Sequence, residues 1–128
     1  MTAEGCKIVS VPHDVTTDLR EMREVLRAFD DETIGIRDAA QLDRLGPCAA
    51  AAAEALGDTD LDRSVAMCIL TATQAASEAR EAAANHARRP ILRPIAQLQF
   101  DARIDTASGA IETALADLDG DAVVPPRS

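Results

Sequence analysis

Arg80, His86, Arg88, Arg89 and Arg93 fall within fourteen consecutive positions, and they are the residues whose types and spacing could do chemistry. Three arginines near one helix end could contact an anion or an acidic partner. Cations at a helix C-terminus also stabilise it by about 0.3–1 kcal/mol, and that plainer role is sufficient for Arg88, Arg89 and Arg93. Arg80 and His86 stand six residues apart on a helical segment, so their side chains leave the axis roughly 120° apart and share one face poorly. Metal chemistry has little to work with. His13 and His86 are the only histidines, and neither belongs to a Glu-x-x-His or Cys-x-x-Cys spacing. Glu78 and Glu81 read as a solvated charge pair, and no phosphate loop or Gly-x-Ser-x-Gly elbow occurs, so no metal and no cofactor is implied.

The segment Arg80-Glu81-Ala82-Ala83-Ala84-Asn85-His86 resembles the motif of HEPN-type ribonucleases, dimeric all-helical enzymes. That resemblance would make Arg80 the phosphate contact, His86 the general acid or base and Asn85 a polar neighbour, in a cleft between two subunits. His86-Ala87-Arg88-Arg89-Pro90 is similar to the phosphorylated histidine box of sensor kinases, with its proline one residue early and Ala87 where an acid is usual. Leu45-Gly46-Pro47 followed by alanines is similar in layout to helical-hairpin substrates of type VII secretion, without their Trp-x-Gly turn.

These residues sit in a chain of 128 residues with 13 basic and 22 acidic side chains and a net charge of −9. Such a field repels phosphate backbones and anionic lipid, so neither a nucleic-acid nor a membrane partner is expected. Cys6, Cys48 and Cys68 are odd in number without paired spacing and read as reduced thiols. The first dozen residues lack the pattern of a cleavable signal, and Val65–Leu70 is too short an apolar run to span a bilayer. A cytoplasmic protein is expected, with signal-less export left open.

The elements that carry the arginines are helical. Leu61, Val65, Cys68, Ala72, Ala75, Ala79, Ala82 or Ala83, and His86 recur at steps of three and four, one stripe of a long helix that Thr59 and Asp62 would cap and that would end near Arg88. The small residues Ala72, Ala75, Ala79 and Ala83 invite a close helix contact and are the expected interface. A first helix should begin near Asp14 or Thr17 and bury Val15, Leu19, Met22, Leu26 and Phe29. Its register continues through Thr33, Ile36 and Ala40, so it could reach Leu45, unless Gly35 marks a bend. Pro47–Leu56 predicts a short alanine-rich helix closed by Gly57. Pro90 and Pro94 predict a linker, and Phe100, Ile104, Ala107, Ile111, Ala114 and Leu118 a final helix from about Pro94 to Leu118. Ile95 and Leu98 lie off that seam and imply a broader buried face, against an arm containing Val9 and Val11.

The expectation is an all-α, up-and-down bundle of about four helices, one short, over residues 14–118. An extended arm over 1–13 and a flexible tail over 119–128 would flank it. With a fifth of the chain alanine and only Phe29 and Phe100 aromatic, the core gains little area per side chain, and a second copy should supplement it. The function that follows is a non-enzymatic interaction or adaptor protein, expected to form a homodimer or to bind a protein partner. A HEPN-like ribonuclease and a secretion-associated hairpin are the alternatives.

Overall fold

The computed structural model describes the backbone of residues 15–123 and the side chains of residues 15–118. The arm expected over 1–13 and the last five residues of the expected tail lie outside the described residues. Four helices follow one another: α1 (Val15–Asp30), α2 (Leu45–Ala55), α3 (Asp60–Arg88) and α4 (Arg93–Val123). Two 3₁₀ segments join them, Ile36–Arg44 between α1 and α2 and Pro90–Leu92 between α3 and α4. There is no strand among the described residues, and the fold is the all-α up-and-down bundle that the periodicity predicts.

The helices alternate in direction, as side-chain pairs show. Ser64 reaches Asp117 and Arg103 reaches Glu78, which sets α3 antiparallel to α4. Arg27 meets Glu112 while Phe29 meets Phe100, which sets α1 antiparallel to α4. The hydrophobic core runs along the middle of this arrangement, with Leu19, Met22, Leu26, Val65 and Ile111 fully buried. Ala72, Ala75 and Ala79 are buried in the same core, at 0%, 4% and 0% exposure, and Ala83 is partly buried against it. The alanine stripe is therefore consumed inside one chain. Its small side chains let α3 and α4 approach along their length.

The first helix stops at Asp30, well short of Leu45. The Glu32 N–H donates to the Phe29 carbonyl and the Thr33 N–H to the Ala28 carbonyl, and Glu32 adopts φ 61°. This is a Schellman closure with a non-glycine residue in the left-handed position. Gly35 instead starts the 3₁₀ segment: its N–H donates to Asp38 Oδ2 at 2.9 Å while the Asp38 N–H donates to the Gly35 carbonyl at 2.7 Å. Pro47 falls within the first turn of α2, where its missing N–H costs nothing.

At the start of α3 the capping box is formed as its residue types imply. The Asp62 N–H donates to Thr59 Oγ1 at 3.0 Å, and Asp62 Oδ2 accepts from Thr59 N and Gly57 N. A Cβ on residue 57 would lie 2.9 Å from that oxygen, so glycine there keeps the carboxylate seated. The final helix begins at Arg93 and continues to Val123, past Leu118 where its three-four seam ends.

Ile95 and Leu98 are not buried. They are 55% and 71% exposed, and Ile91 is 88% exposed. On a 100° per residue wheel, Ile95 and Leu98 project roughly opposite Phe100, away from the core. The arm with Val9 and Val11 expected to cover them lies outside the described residues.

Candidate functional site

The 3₁₀ segment Ile36–Arg44 packs across α3 near its C-terminal half, because Ala39 and Leu42 turn inward at 3% exposure each. Asp43 then faces α3, and Arg80 holds it through two hydrogen bonds, Nε to Oδ1 at 3.1 Å and Nη2 to Oδ2 at 3.2 Å. Both partners are largely exposed, so the pair fixes the Arg80 guanidinium more than it stabilises the fold.

Beyond that pair, between the 3₁₀ segment and the end of α3, lies a cleft of about 470 Å³. Arg37, Arg80, His86 and Arg93 line it together with Ile36 and the methyl groups of Ala39, Ala40 and Ala83. Arg80 and His86, angularly separated on α3, thus share one opening because the long arginine side chain reaches across. Arg93 donates from Nε to the His86 carbonyl at 3.2 Å, satisfying an end group of α3 that has no partner within the helix. That bond is the helix-terminal role expected of this arginine. Arg88 and Arg89 do not line the cleft. Arg37 and Asp43 complete the arrangement from a segment remote in sequence, and no local pattern around either one signals it.

A second cleft, of about 620 Å³, opens on the other side of Ile36 and Arg37. Asp30, Glu32, Asp38, Asp101 and Asp105 surround it, with Phe29, Phe100 and Ile104 behind them. Burial raises the Asp30 carboxyl above its ordinary value; a hydrogen bond to Ser108 opposes the shift, and the neighbouring charges of Asp105 and Asp31 add to it. No group of three or more histidine, cysteine or acidic side chains among the described residues could hold a metal ion.

The histidine side chain at the arginine-lined cleft makes no hydrogen bond to another described side chain. The thiols of Cys48 and Cys68 are free, and burial pushes both up, away from the thiolate form a nucleophile needs. Glu21 and Asp18 add to the effect at Cys48, and Asp117 at Cys68. No helix among the described residues is long and apolar enough to cross a membrane. No family model, no curated protein and no solved structure matches the chain.

Proposed function

We propose that this protein is a non-catalytic, self-associating helical module of the cytoplasm, and that its contact face is the outward surface at the start of α4 rather than the alanine stripe of α3. The observation that carries this is the exposure of Ile91, Ile95 and Leu98 on one side of consecutive turns. Clustered large aliphatics left in water favour association, whereas scattered single ones do not require it.

A second copy of the chain is the occupant that the charges favour. Arg88 and Arg89 lie just before this apolar tract, and Asp101 and Asp105 lie on α4 just after it. Two copies of α4 laid antiparallel about a twofold axis near Ile95 and Leu98 bring the arginines of each copy beside the aspartates of the other. One patch then satisfies both sides of an isologous interface. Ala72, Ala75 and Ala79 need take no part in it.

Light scattering across dilution tests the reading. A dimer at micromolar concentration that Leu98→Asp converts to a monomer of unchanged helicity supports it, as does weakening by Arg88→Glu with Arg89→Glu. A wild-type chain that stays monomeric at every concentration overturns it. The ribonuclease reading remains second, favoured by Arg80 and His86 lining the same cleft. It requires metal-independent RNA cleavage that His86→Ala reduces at least about 10²-fold.

A further inference from the structure

The arginine-lined cleft runs against the charge of the molecule. Of 128 residues 22 are acidic, and five of them crowd the neighbouring cleft, yet no carboxylate lines this one. Arg37, Arg80, Arg93 and His86 line one opening of about 470 Å³, a size suited to a small metabolite, and Arg37 borders the acidic cleft as well.

Each cation keeps donors to spare. Arg80 spends Nε and Nη2 on Asp43 and retains Nη1. Arg93 spends Nε on the His86 carbonyl and retains both terminal nitrogens. The Arg37 side chain makes no hydrogen bond or ion pair with any described residue, and Gly35 and Asp38 fix the backbone beside it through their paired hydrogen bonds. These donors enter from three elements: the 3₁₀ segment, α3 and the start of α4. A planar carboxylate suits one guanidinium fork, whereas donors converging from three directions suit the tetrahedral oxygens of a phosphate. Ile36 and Ala83 supply an apolar wall beside them.

We propose that this cleft binds a small phosphate monoester. Its phosphate is held by Arg37, Arg80 and Arg93, His86 contributes a ring nitrogen, and the organic group lies on Ile36 and Ala83. The site is independent of the self-association face, since Ile91, Ile95 and Leu98 do not line it.

The test is a titration of the full chain with phenyl phosphate, inorganic phosphate and benzoate at constant ionic strength, followed by amide NMR shifts. Saturable shifts at Ala83, Ala84 and Ala87 are expected, with phenyl phosphate binding at least about ten-fold more tightly than either single-feature probe. Arg37→Gln, which removes no side-chain hydrogen bond or ion pair within the described residues, should weaken binding about ten-fold, and Arg63→Gln at the opposite end of α3 should leave it unchanged. The same binding by the Leu98→Asp chain separates this result from the fate of the dimer. Linear, non-saturating shifts overturn the proposal, as do equal affinity for benzoate or full affinity in Arg37→Gln.

Discussion

Phe29 and Phe100, the two aromatic residues of the chain, meet edge to face with ring centroids 5.5 Å apart and ring planes at 64°. They are 7% and 2% exposed, and they join α1 to α4 at the end of the bundle where both clefts open. In a core built largely of alanine this pair supplies area that no neighbouring residue can replace. Phe100→Ala is expected to cost about 3–5 kcal/mol in denaturant unfolding. A double-mutant cycle with Phe29→Leu and Phe100→Leu should return a coupling of about 0.5–1.5 kcal/mol. Additive effects would mean that the rings contribute area alone.

The stripe on α3 makes a second prediction. Ala75 is 4% exposed in the core, while Ala84 is exposed one helical face away. Ala75→Leu adds methylenes where α3 and α4 already touch and should cost about 1–3 kcal/mol by overpacking. Ala84→Leu should stay within about 0.5 kcal/mol of wild type. Equal melting temperatures for the two variants would remove the close contact from this face.

What the amino-acid pattern made legible is the part of the molecule governed by helical periodicity and caps. Thr59 with Asp62 announced α3, and the three-four spacing from Phe100 onward announced the buried face of α4. The break after α1 was not legible, because Glu32 takes the left-handed position that glycine usually marks, while Gly35, which does look like a break, lies after it. Periodicity also cannot tell a 3₁₀ segment from an α-helix over so few residues, so Ile36 and Ala40 read as more of α1. Arg37 joins Arg80 only through the chain reversal that this unread segment produces. The exposed Ile95 and Leu98 failed for another reason. Apolar residues off the seam read as buried by type, and only the position of α1 shows that nothing described covers them.

The Schellman closure can be tested on its own. A non-glycine residue in the left-handed region carries a steric cost of roughly 1–2 kcal/mol, and part of any relief is lost to the greater freedom of glycine in the unfolded chain. Glu32→Gly is therefore expected to raise stability by up to about 1 kcal/mol, and Glu32→Val to lower it. A fall in melting temperature on Glu32→Gly would mean that the Glu32 side chain contributes more than its backbone conformation costs.

Asp30 gives a prediction whose sign depends on pH. Its carboxyl is raised above 3.8, chiefly by burial, with Ser108 pulling the other way and Asp105 and Asp31 reinforcing the rise. A raised value means that the folded state holds the proton more tightly than the unfolded chain does. The resulting stabilisation is complete below the unfolded value and is lost as pH rises through the folded one. At neutral pH the ionised Asp30 therefore opposes folding. Asp30→Asn keeps the shape and removes the charge, so it should raise the melting temperature at pH 7. As pH falls through the carboxylate range the wild type recovers the same relief by protonation, and the difference between the two chains should shrink towards zero. Melting curves collected from pH 3 to pH 7 check this directly. An advantage for Asp30→Asn that does not change with pH would assign the effect to packing around residue 30 rather than to its charge.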